Sequence, residues 1–250
     1  MRSFNAALAN EVFKMTRKKK PVLILILSVV SIAMVLLIIL ALRGGLGIMG
    51  STAASFPITV LSIVTNTILP FFTTLAVIDA FTGEFSADTM KICIAKPVTR
   101  LKIYLAKLAS VGLLILASLL AVMILSMAVS LLVLRLTPTL AWITSILAAY
   151  LATVWPLFTL AVIVAWPANV LKSSAGVFFL SLLAFLFLRV LALVVTPLAG
   201  LMATSLLDWY KLWIARPVPI GTLLRQWLAQ MAQILIFFAL GFMRFDRRDL

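Results

Sequence analysis

Long uncharged segments alternate with short charged ones along the whole chain. The first uncharged segment, Pro21 to Leu42, holds 22 residues, and six more follow at 44–78, 108–134, 136–171, 173–188, 190–207 and 226–243. A helix needs about 20 apolar residues to cross the roughly 30 Å hydrocarbon layer of a bilayer. The pattern therefore predicts a chain that crosses a membrane several times.

The apolar runs favour helices over barrel strands, because a barrel strand alternates apolar and polar residues and the run 113–134 does not alternate. Charged residues make up only 11% of the chain, against about 25% in soluble domains. We therefore predict an all-α membrane protein, residues 1–250, with one transmembrane domain and little soluble mass. Its six transmembrane helices are expected at 21–42, 57–80, 103–134, 139–166, 176–199 and 222–243.

Positive charge is distributed unequally between the two sides of this topology. Of the 21 Lys and Arg residues, 15 fall on the side of the predicted termini, five on the opposite side, and Arg189 lies within span five. The chain is expected in the inner (plasma) membrane, and the positive-inside rule then places both termini in the cytoplasm. The net charge of +14 is thus assigned to helix ends, and no nucleic-acid partner is expected.

Residues 1–20 contain a predicted amphipathic helix on the inner membrane surface, in contact with membrane lipids. One face is apolar: Phe4, Leu8, Val12 and Met15. The other faces are polar: Asn5, Asn10, Glu11, Lys14 and Arg17. The alternative is an ordinary basic flank that only fixes the topology.

The connection 84–100 joins spans two and three. It begins with acidic residues and ends with basic ones, as the dipole of a short helix prefers. Met90, Cys93 and Ile94 share one helical face, which suits docking in a groove of another protein. The alternative is a solvated loop.

The same connection carries a family resemblance. Glu84, Thr89, the run Ala95-Lys96-Pro97-Val98-Thr99-Arg100 and Lys107 resemble the second connection of type-two ATP-binding-cassette (ABC) transporter permeases. The ending Phe245-Asp246-Arg247-Arg248-Asp249-Leu250 is similar to their frequent terminus, although Ala87-Asp88 stands where the family often has glycine before Thr.

The resemblance implies a permease subunit of an exporter that works as a pair, with a second copy or with a sister permease. It also implies a cytoplasmic coupling helix that docks on a dimeric ABC ATPase. The implied coupling residues are Glu84, Asp88, Thr89, Met90, Ile94, Lys96, Pro97 and Arg100. The chain holds no Gly-x-x-x-x-Gly-Lys-Ser/Thr phosphate loop, so it is not expected to be an enzyme. No cofactor is expected in it, since ATP and Mg²⁺ belong to the ATPase.

The sequence also bears on three other functions. An ion-coupled secondary transporter would favour buried acidic residues at mid-membrane, and the spans contain no Glu. An intramembrane enzyme with a zinc site or a Ser–His pair is disfavoured because the chain has no His. A non-transporting membrane scaffold stays open.

Polar residues within the spans are candidates for the translocation path. Asn66 and Thr67 lie in the middle of span two, before Pro70, and either kink the helix and face the path or bond to other helices. Arg189 either lines the path or pairs across a permease dimer, or it bonds to backbone carbonyls at a static contact. Asp79 is expected to pair with Lys102 or Lys107.

The segment 200–221 separates spans five and six. Leu206, Trp209, Tyr210 and Trp213 predict short amphipathic pieces at the outer interface, where Trp and Tyr concentrate. We interpret this outer loop either as part of a gate or as an aromatic anchor.

Overall fold

The described part of the chain is helical throughout. The structure is a computed structural model that describes residues 2–17, 20–45, 53–83, 99–171, 173–195 and 200–247. These ranges contain nine α-helices and one short 3-10 segment, and no strand. The helices are α1 (Arg2–Arg17), α2 (Lys20–Gly45), α3 (Phe56–Asn66), α4 (Ile68–Ala80), α5 (Arg100–Leu132), α6 (Leu140–Val170), α7 (Ser174–Val194), α8 (Tyr210–Ile214) and α9 (Ile220–Asp246).

Four helices, α5, α6, α7 and α9, are long and apolar enough to cross a membrane. The pair α3 and α4 passes the same test together as one broken span, bent by 47°. The chain is therefore a multi-pass membrane protein. Predicted span one corresponds to α2, which has 26 residues. Its apolar stretch, among the residues that the structure describes, is Ile26–Ile38. A membrane crossing by α2, which would bring the total to six, stays a prediction.

Span two is broken because of its own sequence. Pro70 lacks the N–H that would bond to the carbonyl of Asn66, and its ring crowds that carbonyl. Thr67, between α3 and α4, leaves helical geometry with φ −120° and ψ −72°. The kink expected from Asn66, Thr67 and Pro70 is confirmed.

A side-chain cap marks the start of span four, and the prolines within it do not end the helix. The Thr139 hydroxyl accepts a hydrogen bond from the N–H of Trp142 at 3.3 Å, which satisfies one of the free donors at the start of α6. Pro156 and Pro167 lie inside α6, which continues through both to Val170. Pro167 is therefore no terminator.

The helices pack around α6, which contacts α3, α4, α5, α7, α8 and α9. Its span is 61% buried, whereas the span in α7 is 6% buried. Span five is thus the helix most open to lipid or to another protein chain.

Contacts between the helices define the two ends of the bundle. At the first, the Thr82 hydroxyl donates to the carbonyl of Ala168 at 2.9 Å, and the rings of Phe81 and Phe245 lie 6.3 Å apart. We call this the Gly83 end. At the other, the Ala54 end, the indole N–H of Trp142 donates to the Ala54 carbonyl at 2.8 Å. Spans two, four and six therefore end together, as the predicted up-and-down topology requires.

Candidate functional site

A buried ion pair lies at the Gly83 end. The ammonium of Lys107 is 3.1 Å from a carboxylate oxygen of Glu11 and donates to the carbonyl of Ala80 at 2.8 Å. Lys107 is fully buried and Glu11 is 5% exposed. The second Glu11 oxygen is 3.0 Å from Lys14. One lysine thus joins α1, α4 and α5 at a single point.

Such a pair fixes geometry more than it adds stability. Removing two charges from water costs several kcal/mol for each ion, and only close contacts with further hydrogen bonds offset that cost. Here the Ala80 carbonyl and Lys14 supply those further partners. The amphipathic helix α1 is therefore held in a defined position against the beginning of span three.

This pair was not predicted from the sequence. The helix predicted within residues 1–20 is present as α1, its location on the membrane surface stays a prediction, and the assignment of Glu11 to its polar face is wrong. Phe4, Leu8, Glu11 and Met15 follow a spacing of four, three and four residues, so Glu11 continues the apolar stripe. A charged residue within an apolar stripe is the feature of the sequence that could have indicated a buried ion pair. The predicted pairing of Asp79 with Lys102 or Lys107 stays a prediction.

An aromatic cluster surrounds Tyr104 beside the ion pair. Its ring lies 5.3 Å from Phe81 and from Phe238 and 5.4 Å from Phe245, centroid to centroid. Gly241 permits this packing, because a Cβ at that position would overlap the Tyr104 hydroxyl. Tyr104 is fully buried, so α5 and α9 are fitted closely together here.

The predicted coupling residues Glu84, Asp88, Thr89, Met90, Ile94, Lys96 and Pro97 lie outside the described residues. Arg100, the last of the set, donates from its guanidinium to the backbone carbonyl of Asp246. Thr99 occupies the N-cap position of α5, as expected, but its side chain accepts no capping hydrogen bond. Gly83 and Thr99, which flank the connection, both belong to the Gly83 end.

The predicted path residues Asn66 and Thr67 lie at the break in span two. The amide of Asn66 donates to the Ser62 carbonyl at 2.9 Å and to a carboxylate oxygen of Asp208 at 3.2 Å. The Thr67 hydroxyl donates to the Ile63 carbonyl within its own helix, at 2.6 Å. Asn66 is thus tied to the 200–221 segment, whereas the bond of Thr67 is local.

Arg189, the third predicted path residue, contacts the same segment at another point. Its guanidinium donates to the backbone carbonyl of Thr204 at 3.1 Å. This is the carbonyl contact that the sequence analysis gave as the alternative. Asn66 and Arg189 therefore each hold a different part of the segment that joins spans five and six.

That segment forms two short helical pieces, Leu206–Asp208 and α8, as its pattern predicted. It packs inward against α6, because Leu206, Leu207, Trp209 and Tyr210 are buried, while Trp213 stays exposed. Burial raises the pKa of the Tyr210 hydroxyl, which therefore stays neutral at physiological pH.

Among the described residues, no three His, Cys, Asp or Glu side chains come close enough to hold a metal ion. The described residues at the two ends of the bundle instead form contacts between its helices. An ion pair and an aromatic cluster join four segments at the Gly83 end, and hydrogen bonds from Asn66, Arg189 and Gln233 hold the segment between spans five and six.

The comparisons with known proteins agree with this architecture. Residues 7–190, about three quarters of the chain, match the family described as ABC-2 family transporter protein. A comparison with curated proteins gave no match. The matched range takes in most of α1, the ion pair, predicted spans one to four, the connection 84–100 and the first part of predicted span five. The chain therefore belongs to the ABC-2 transporter family and is a non-catalytic, membrane-spanning subunit of an ABC transporter.

Proposed function

We propose that this chain is the permease subunit of an ABC exporter and that a separate ATPase subunit docks on residues 84–100. The permease works as a pair, with a second copy or a sister permease, in the inner membrane with both termini cytoplasmic. The observation that carries the proposal is the position of the two flanks of this connection. Both lie at the end of the bundle where Lys107 joins α1, α4 and α5.

This position gives the docked ATPase a short route to the spans. A force on residues 84–100 reaches α4 through Gly83 and α5 through Thr99. The Lys107–Glu11 pair makes α1 follow the same movement, because separating a buried pair leaves an uncompensated charge in the protein. ATP binding in the partner then moves α1, α4 and the beginning of α5 together.

The break at Thr67 divides span two at mid-membrane. Its α4 half belongs to the Gly83 end, and its α3 half reaches the Ala54 end, where Tyr150 donates to the Pro57 carbonyl at 3.0 Å. Asn66, Thr67 and Arg189 are proposed to border the path near this break. Export is favoured because the described links at the Ala54 end form no separate domain that could capture a solute: seven residues, 133–139, join α5 to α6, and the 200–221 segment packs against α6.

Affinity purification from native membranes tests the docking. The tagged chain is expected to bring down an ATPase subunit in comparable amount, with ATP hydrolysis in the purified complex. Glu84→Ala should lower both the recovered ATPase and the hydrolysis. Arg135→Ala, an exposed arginine at the other end of span three, is the matched control and should leave both unchanged.

Two results would contradict the proposal. If no ATPase accompanies the chain even when nucleotide is supplied, the docking idea is wrong. If Glu84→Ala and Arg135→Ala both retain the full complex and its hydrolysis, the docking surface lies elsewhere. Arg100→Ala is a weaker probe, because Arg100 also holds the Asp246 carbonyl at the end of α9.

A further inference from the structure

A cavity of about 270 Å³ lies within the helical bundle, between α6, α7, α9 and the residues before Leu206. Its walls are almost entirely apolar. They are formed by Leu160, Ile163, Val164, Trp166, Pro167 and Phe237 on α6 and α9, together with residues 180–188 of α7 and 203–204. The cavity follows α7 from Leu180 to Leu188, which corresponds to about 12 Å at 1.5 Å per residue.

The cavity opens toward the outer face of the bundle. Two of the lining residues are partly exposed, Leu180 at 47% and Trp166 at 38%. Because α7 is the least buried of the four helices that pass the test for a membrane span, this face is open to the surroundings of the bundle, where lipid acyl chains can reach it. A molecule can therefore enter sideways from the bilayer.

Two hydroxyl groups give the apolar cavity a polar element. Ser181 and Thr204 line it, and neither hydroxyl oxygen has a hydrogen-bond partner among the described residues. Thr204 is 1% exposed. A buried hydroxyl without a partner is costly, so Thr204 fits a ligand that brings hydrogen-bonding atoms of its own, whereas Ser181 lies beside Leu180 at the other end of the cavity.

A positive charge lies next to Thr204. Arg189 donates one guanidinium N–H to the Thr204 carbonyl, and four further N–H donors remain on that group. No carboxylate in the described ranges forms an ion pair with Arg189. The Thr204 side of the cavity is therefore suited to an anion, and the Leu180 side to hydrocarbon.

We propose that this cavity binds a single-chain amphiphile with a carboxylate or phosphate headgroup. Its apolar chain lies along Leu180–Leu188, and its headgroup meets Thr204 and Arg189. The volume is just below the usual ligand range of roughly 300–1,000 Å³, which fits one chain and excludes two. The proposal goes beyond the transport role and does not depend on it, since binding requires neither an ATPase nor transport.

Photolabelling of the purified chain tests the site. The probe is palmitic acid with a diazirine in the middle of its chain, added to the protein in phosphatidylcholine nanodiscs. Labels are mapped by mass spectrometry and are expected on α6 and α7 around the cavity. Ala184→Trp, which fills the cavity, should abolish this labelling, whereas Ala175→Trp, an exposed position on the same helix outside the cavity, should retain it.

Two further variants test the headgroup contacts without changing the volume. Thr204→Val should weaken binding about three- to tenfold, the range that one hydrogen bond supports. Arg189→Gln should weaken binding of the palmitate probe by about tenfold. The matching diazirine alcohol carries no charge, so its labelling should not respond to Arg189→Gln.

Several outcomes would overturn the proposal. Equal labelling of Ala184→Trp and Ala175→Trp would show that the probe binds elsewhere. Unchanged binding in Thr204→Val, in protein with normal size-exclusion and melting profiles, would remove the headgroup contact even if Ala184→Trp fails to fold. Crosslinks between two chains through Ala184→Cys, with no labelling in wild type, would assign the cavity to a second copy of this chain.

Discussion

Lys107 carries the buried charge that joins α1, α4 and α5 at the Gly83 end. We expect Lys107→Met to lower stability by about 3–5 kcal/mol, because it leaves the Glu11 carboxylate buried without its fully buried partner. The measurement is denaturant unfolding of the purified protein in detergent. Lys14→Met is the control, since Lys14 is 33% exposed and its pair with Glu11 contributes only about 0–1 kcal/mol.

The double variant Glu11→Leu with Lys107→Met decides whether charge or shape matters. Replacing both partners by apolar groups of similar size is often neutral. We therefore expect the double variant to recover most of the stability that Lys107→Met loses. If Lys14→Met is as damaging as Lys107→Met, or if the double variant recovers nothing, the pair does not hold α1 in place.

Asn66 and Thr67 are neighbours in sequence and differ in what they contact. Asn66→Leu removes a hydrogen bond to the charged Asp208, and we expect a loss of about 1.5–3 kcal/mol. Thr67→Val removes a bond within one turn, with an expected change within about 0.5 kcal/mol.

A double-mutant cycle of Asn66→Leu and Asp208→Ala, measured by the same unfolding, isolates the interaction between the two side chains. A coupling energy near zero would mean that Asn66 does not hold the 200–221 segment.

At the scale of elements, α5 and α9 meet through one glycine. Gly241→Ala is expected to lower stability by about 1–3 kcal/mol, because its methyl group would overlap the hydroxyl of the fully buried Tyr104. Gly221→Ala in the same helix has no atom within 4 Å and is expected to raise stability by about 0.5–1 kcal/mol. Melting temperatures of the two variants compare these effects directly.

Removing the obstructing atom should rescue the first variant. The Tyr104 hydroxyl has no hydrogen-bond partner in the described ranges, so Tyr104→Phe alone should cost little. Combined with Gly241→Ala, it should restore most of the lost stability. A destabilised double variant would place the cause of the loss in the backbone of α9 and not in this contact.

The elements themselves were largely predictable. Predicted spans three to six match α5, α6, α7 and α9, because charge-free runs of this length have few alternatives in a bilayer. The break in span two followed from Pro70 and the polar residues before it. The continuation of α6 beyond Pro167 did not follow, since a proline in a membrane helix is tolerated when neighbouring helices support it.

The contacts between elements were much less predictable. Glu11 and Lys107 are separated by 96 positions, and their pairing depends on how α1 docks against span three. The cavity beside Arg189 likewise results from the packing of α6, α7 and α9. A periodic pattern describes one helix at a time and carries no information on which helices face each other.

At the scale of the whole molecule, the remaining question is orientation. Cys93, the one cysteine in the sequence, lies in the connection between Gly83 and Thr99. We expect a membrane-impermeant maleimide to leave it unlabelled in intact cells and to label it in inverted membranes, because the Gly83 end carries most of the positive charge. Thr137→Cys in a Cys93→Ser background, in the exposed link between α5 and α6, should show the opposite behaviour.

Labelling of Cys93 in intact cells, or of both positions from one side, would reverse or break the proposed topology. The cytoplasmic docking of an ATPase would then have no surface at residues 84–100.

The length of α5 has a mechanical consequence. Its 33 residues span about 50 Å, some 20 Å more than the hydrocarbon layer is thick. A helix that is packed within the membrane and free to tilt there acts as a lever. A tilt of about ten degrees displaces the far end of a 20 Å extension by about 3 Å, which is comparable with the helix shifts of known switching proteins. In the reverse direction, a movement of Thr99 tilts α5 about the same pivot, and only the residues of α5 close to that pivot move less than Thr99 does.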